Sequence, residues 1–171
     1  MTRQISREKA PAAAAAETGD AVPRGEPAGI DLGRLDGLLG YRLRRAQLAV
    51  FQDFITSMRD YDLRPAQFSV LAIIGANPGL KQSRVSEALG INRANFVALL
   101  DDLENRRLAR RAPAPGDRRS NALFLTAKGE AFLEEAFRHL QAHHERRLDA
   151  TLGAADKQHL LDLLDKLAAL T

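Results

Sequence analysis

Cysteine is absent from the 171-residue chain. That excludes disulfides, thiolate metal sites and any thiol-based redox switch. No stretch approaches the roughly 20 apolar residues of a membrane span. The basic N-terminus runs into "APAAAAAETGD", too short and too weakly apolar for a secretion signal. A cytoplasmic location with no membrane partner is therefore the default expectation. A phosphate-binding glycine loop, a nucleophile elbow and a compact acid–base pair are missing too. Nothing supports an enzyme, and no cofactor is implied.

What is present is unevenly spread. Hydrophobic residues make up 45% and charged residues 27%, the values of an ordinary globular protein, and the length suits one compact domain with attachments. Net charge is only +3, yet residues 81–121 hold nine basic and five acidic side chains, while residues 127–171 hold six and eight. An excess of positive charge confined to one central block is the pattern of a DNA-contacting lobe, and equally that of an Arg-rich solvated surface.

Residues 1–29 are rich in Ala, Pro and Gly and nearly free of large apolar side chains. They cannot bury enough surface to offset their ordering entropy, so a flexible arm is expected. Asp31 is positioned to cap a long helix reaching about Tyr61. That helix has two apolar stripes, one through Leu35, Leu39, Leu43, Ala46, Val50 and Phe54, the other through Tyr41, Leu48, Phe51, Ile55 and Met58. Two stripes mean two bodies to pack against. Pro65 suits the first position of the next helix, which carries Phe68, Leu71, Ile73 and Ile74 and ends near "GANPGL".

Two short helices follow. The first, about Gln82 to Leu89, ends at Gly90, and Asn92 can cap the second, whose Phe96, Leu99, Leu100 and Leu103 recur at helical spacing. A Gly-containing turn between them makes a helix-turn-helix. "RRLARRA" and "NALFLT" then flank the turn "PAPGDRRS", as two strands of a small ribbon would. Thr126 can cap a further long helix with Leu133, Phe137, Leu140, His144 and Leu148 on one stripe. Gly153 breaks it before a last helix from about Asp156 to Leu170. The expected fold is mainly α: a winged helix-turn-helix with a small β-ribbon wing over 63–126, and helical regions over 30–62 and 127–171. The outer helices carry more apolar surface than the middle can cover. A two-fold dimer built from both chain ends would absorb it.

Four pieces of this chain resemble the MarR family of bacterial transcription regulators. "LRPAQFSVLAIIGANPGLKQSRVSEALGI" (63–91) is similar to the family's segment leading through the first helix of the motif. "NRANFVALLDDLENRRLARR" (92–111) is similar to its recognition helix and first wing strand, and "GDRRSNALFLTAKGEAFL" (116–133) to its wing and following helix. The flanking long helices resemble its dimerisation region, so the likeness spans about residues 31–170. Family members often have Ser or Thr where this chain has Arg64 and Lys81, Thr and Arg where it has Asn95 and Ala98, and Gly where it has Arg107.

The resemblance implies double-stranded DNA as a partner, read by the N-terminal end of the recognition helix in a major groove. Asn92, Arg93 and Asn95 occupy that end. Asn pairs bidentately with adenine and Arg with guanine. Asn92 is equally readable as a cap alone, and Asn95 as part of a solvated face. Ser83 and Arg84 are phosphate-contact candidates. On an extended wing strand, alternation puts Asp117 and Arg119 on one side, where they can pair, and points Arg118 the other way, toward a minor groove. Arg118→Ala is then expected to weaken operator binding more than Lys157→Ala.

The resemblance also implies a homodimeric repressor released by a small molecule, often a phenolic or other aromatic acid or an aromatic acyl-CoA thioester. The family's pocket lies where the dimer helices meet the winged lobe. Tyr41, Arg45, Phe51, Phe54, Met58 and Phe68 are the candidates here, with core packing the competing explanation for the Phe and Met residues and solvation for Arg45. His139 and His143, with Glu135 one turn earlier, have a spacing that could hold zinc and make a metal-responsive regulator. A solvated helix face explains the same residues, so no metal site is assigned. A ligand-independent architectural DNA-binding protein is the remaining alternative.

Overall fold

The computed structural model describes residues 30–114 and 117–170, without the side chains of 114 and 117–120. The N-terminal arm expected over 1–29 lies outside the described residues.

Among the described residues, seven α-helices and three strands run in the order α1 (Leu39–Ser57), α2 (Pro65–Ala76), β1 (Leu80–Lys81), α3 (Gln82–Ala88), α4 (Arg93–Asn105), β2 (Ala109–Ala114), β3 (Asp117–Leu125), α5 (Ala127–Leu140), α6 (Arg146–Leu152) and α7 (Ala154–Ala168). A π-helical turn, Gln141–Glu145, joins α5 to α6 without a break. The architecture is the mainly helical winged helix-turn-helix expected from the sequence.

Local signals explain most boundaries. Pro65 opens α2, and Gln67 Oε1 accepts the otherwise unpaired Arg64 N–H at 2.9 Å, so a helix whose N-cap is arginine is capped from its third position. Gly90, at φ +62°, ends the α3 turn in the left-handed region that favours glycine. Asn92 Oδ1 accepts from Asn95 N–H at 2.9 Å and starts α4. Thr126 Oγ1 accepts from Gly129 N–H at 3.0 Å and starts α5. At the exit of α4, Arg107 sits at φ +59°. A non-glycine residue there costs about 1 kcal/mol, offset by the Leu108 N–H to Leu103 carbonyl bond at 2.9 Å that closes the turn.

Three expectations need correction. Asp31 does not cap α1: its Oδ1 accepts Gly33 N–H at 2.8 Å and starts a separate 3₁₀ turn, Gly33–Gly37, after which Leu38 is extended and α1 begins at Leu39. Short-range glycines outweigh the apolar stripe there. The expected ribbon of β2 and β3 forms but does not stand alone: β1 also pairs with β3, Leu80 opposite Leu123, giving an antiparallel sheet of order β1-β3-β2. The last helix begins at Ala154, directly after Gly153, and ends at Ala168.

The core lies where α2, α4, β3 and α5 meet. Val70, Leu71 and Ile74 of α2, Phe96, Leu100 and Leu103 of α4, Leu123 of β3 and Leu133, Ala136 and Leu140 of α5 are buried there. Each large side chain contributes about 1.5–3 kcal/mol. The two chain ends differ. Leu35, Leu38, Leu39, Phe51 and Ile55 near the N-terminus, and Leu152, Leu160, Leu161, Leu163, Leu164 and Leu170 near the C-terminus, are exposed, and no residue of α7 is buried. No helix among the described residues is long and apolar enough to cross a membrane.

Candidate DNA interface and effector site

The helix-turn-helix and the wing enclose a groove of about 570 Å³. Ser83 and Arg93, both expected to face DNA, line it together with Lys81, Ser86, Arg111 and Asn121, for which the sequence carried no DNA-contact expectation. β1 delivers Lys81 to this groove. Its pairing with a strand some forty residues away has no local signal. Arg84 is exposed and leans on Glu87 at 3.3 Å, and Asn95 is exposed one position from the groove wall. The side chains of Asp117, Arg118 and Arg119 lie outside the described residues. Their backbone belongs to β3.

Asn92 is placed but constrained. Its Oδ1 is committed to the cap, leaving only the amide NH₂ to donate. Bidentate pairing with adenine needs both the oxygen and the nitrogen, so Asn92 would have to give up the cap to read a base. Arg111 also serves structure. Its guanidinium meets Asp101 at 2.7 Å, and its backbone N–H donates to Glu104 Oε1 at 2.6 Å, so β2 is strapped to α4.

The far end of α4 is held to the helices on both sides. Arg106 donates to the carbonyls of Asp62 at 2.7 Å and Tyr61 at 2.9 Å, in the turn between α1 and α2, and lies 5.5 Å from the Phe132 ring centre on α5. Lys128 Nζ donates to the Arg106 carbonyl at 2.9 Å. Gly129 touches the backbone of Leu108 so closely that an added Cβ would lie 1.8 Å from the Leu108 oxygen. Tyr61 in turn donates to Glu135 at 3.3 Å. Burial at this contact, followed by the Glu135 carboxylate, raises the Tyr61 hydroxyl above the ordinary phenol value.

The six effector candidates separate. Phe54 and Phe68 form an edge-to-face pair, centroids 5.6 Å apart, and Phe68 packs on Phe137 of α5 at 4.8 Å. Phe51 is exposed nearby on α1. Met58 is 0% exposed and belongs to the core. Tyr41 and Arg45 sit near the start of α1. At 1.5 Å per residue, Tyr41 is about 25 Å along the helix axis from Met58, so one protomer cannot bring all six to one pocket. Phe137 also lines a shallow outer groove with Arg138, Gln141 and Arg146. His139 Nε2 lies 2.7 Å from the Ser57 carbonyl and is stacked near His143 at 4.3 Å. Among the described residues no group of three His, Cys, Asp or Glu is placed to hold a metal ion.

A recognition helix, a three-stranded wing and a basic groove between them define a DNA-binding transcription regulator of the winged helix-turn-helix class. The family model described as MarR family matches residues 61–120. A putative transcriptional regulatory protein for the hcr operon of Thauera aromatica is 33% identical over 153 residues, 84% of this chain and 90% of that protein. Among solved structures, the transcriptional repressor CouR bound to a 23-mer DNA duplex superposes with a TM-score of 0.78 at 47% identity, covering 81% of this chain and 98% of that one. CouR bound to p-coumaroyl-CoA gives 0.76 at 45% identity, over 81% and 97%. The chain belongs to the MarR family and is a transcriptional regulator of that type.

Proposed function

We propose that the chain is a homodimeric repressor that binds a pseudo-palindromic operator and is released by an aromatic acid or its CoA thioester. The observation that carries this reading is the division of surface on one protomer. The exposed start of α4 offers Arg93 and Asn95, while the apolar excess is confined to the helices of the two chain ends. Pairing two copies through those ends would cover the leucines of α7 and set two recognition helices about one turn of DNA apart, near 34–36 Å.

In this account Arg93 and Asn95 read base edges and Ser83 and Arg84 hold phosphates. Asp117 steadies Arg119 while Arg118 enters the minor groove. Counterion release makes binding fall steeply with salt. The aromatic cluster of Phe54, Phe68 and Phe137 supports an aromatic effector, and so does the likeness to a repressor that binds p-coumaroyl-CoA. The exposed Arg138 and Arg146 beside Phe137 suit an anionic tail. The ligand releases DNA only by binding the DNA-incompetent state more tightly. Footprinting of DNA flanking the gene, with and without p-coumaroyl-CoA, tests the reading. One protected palindrome that the thioester erases is expected. Smeared protection unaffected by the thioester would instead indicate an architectural protein.

A further inference from the structure

We propose that Gln82 and Asn121 form a neutral, two-carboxamide grip on the DNA backbone, at the phosphates that separate the major groove read by α4 from the minor groove entered by the wing. The proposal rests on the docking proposed above.

The sheet assembles the pair. Leu80 stands opposite Leu123 and Lys81 opposite Ala122. Carried one residue further, that register sets Gln82, the first residue of α3, beside Asn121. Side chains alternate along a strand, so Asn121 shares a face with the buried Leu123. Arg111, opposite Leu123 on β2, reaches Asp101 of α4 from that same face. Asn121 therefore looks toward the recognition helix, and it is exposed where Leu123 is not. Gln82 is half-buried, and both carboxamide residues line the groove between the helix-turn-helix and the wing.

Other polar groups of this groove are committed elsewhere. Ser86 Oγ donates its proton to the Ser83 carbonyl at 2.9 Å. The Arg111 guanidinium is held by Asp101 at 2.7 Å and by Glu104, which cancels its charge at this spot. The half-exposed Asp101 lines the groove as well. The floor therefore offers hydrogen bonds more than a positive field. One element in a major groove and another in the adjoining minor groove have a single sugar–phosphate strand between them, and that strand crosses the groove. Asn and Gln side chains donate to phosphate oxygens. Their other use, bidentate pairing with adenine, needs a base edge, and base edges lie in front of Arg93 and Asn95 at the start of α4.

Anisotropy titrations with the footprinted operator and with an unrelated duplex of equal length, repeated over a series of salt concentrations, test the grip. Gln82→Ala and Asn121→Ala are each expected to lower affinity about two- to tenfold on both duplexes. Neutral donors replace no counterion, so the slope of log affinity against log salt should not change. Arg84→Ala, which removes a charged phosphate contact, should flatten that slope by about 0.9. Gln82→Glu and Asn121→Asp keep the side-chain size and set a carboxylate against the phosphate. They should bind both duplexes more weakly than the Ala variants do, which keeps the test open if an Ala variant misfolds. A loss confined to the operator would assign the pair to base reading and overturn the proposal. Acidic variants that bind like the native protein would overturn it too. Failure of the docking itself shows differently: Arg93→Ala and Arg118→Ala would then bind like the native protein, and the proposal falls with it. If those two weaken binding while the amide variants do not, the docking stands and only the grip is overturned.

Discussion

Arg106 donates to the main-chain carbonyl of Asp62 at 2.7 Å, tying the last turn of the recognition helix to the corner between α1 and α2. A second bond to Tyr61 and the Phe132 ring beneath fix the guanidinium in place. The orientation of α4 therefore depends on the helices that lead to the proposed dimer interface.

Arg106→Met removes two charge-assisted hydrogen bonds, each worth about 1.5–3 kcal/mol. Thermal melting should fall by several degrees and operator affinity by tenfold or more. Arg106→Lys should recover only part of this, because a single ammonium lacks the planar fork that serves two carbonyls. A Met variant that melts and binds like the native protein would show that the anchor is idle.

Gly129→Ala forces a carbon to within 1.8 Å of the Leu108 oxygen unless α5 moves. Overpacking of this kind costs about 1–3 kcal/mol and sometimes more. Each kcal/mol lowers the melting temperature of a protein this size by about 2–4 °C. Calorimetric scans of the two proteins check it. Equal melting temperatures would mean that the contact relaxes freely.

Asn92 separates capping from base reading. Asn92→Ser keeps an N-cap oxygen and should leave stability and operator affinity within about threefold, whereas Asn92→Ala should cost about 1 kcal/mol of stability. A Ser variant that is stable but fails on the operator would instead assign the amide to a base.

Arg118→Ala is still expected to weaken operator binding, but Lys157 is not a neutral comparison. Its ammonium donates to Glu145 at 2.6 Å and Asp149 at 2.8 Å and ties α7 to the preceding helix. The exposed Lys166 is the better control. Gel shifts that rank Arg118→Ala with Lys166→Ala would remove the wing from the interface.

The same lysine carries a pH dependence. Its bonds to Asp149, then Glu145, raise the ammonium pKa above its ordinary value of 10.5. A raised pKa in the folded state contributes stability that is fully present below the unfolded value and lost as pH rises through the folded one. The stability deficit of Lys157→Met should therefore be constant from about pH 7 to pH 9 and shrink only in the alkaline range above the ordinary lysine value. Urea unfolding across that range measures it. A deficit that disappears by neutral pH would contradict the assignment.

Legibility followed the range of the interaction. Pro65, Gly90, Asn92, Thr126 and Gly153 act on their own neighbours, and each marked its boundary correctly in the sequence. β1 did not show, because two residues become a strand only through Leu123 and Ala122. The π turn was visible only as a pair of four-residue spacings, Leu140 to His144 to Leu148, wider than the 3.6 of an α-helix. Asp53 carried no signal at all, since its partner, His144, lies 91 residues away. Motif position pointed to Ser83 and Arg93, which line the groove, whereas the place of Arg111 there needed the register of the wing. For Met58 the sequence left pocket and core open, because an apolar side chain looks the same in both, and its full burial favours the core.

The most direct test of an effector-released repressor is a fluorescence anisotropy titration of p-coumaroyl-CoA into the complex of the full chain with its footprinted operator. The account predicts that anisotropy falls to the value of free DNA as the thioester reaches about one equivalent per protomer, with the midpoint shifting to higher ligand as more DNA is added, as linkage requires. Anisotropy that stays at the bound value through saturating thioester and saturating p-coumarate would contradict it.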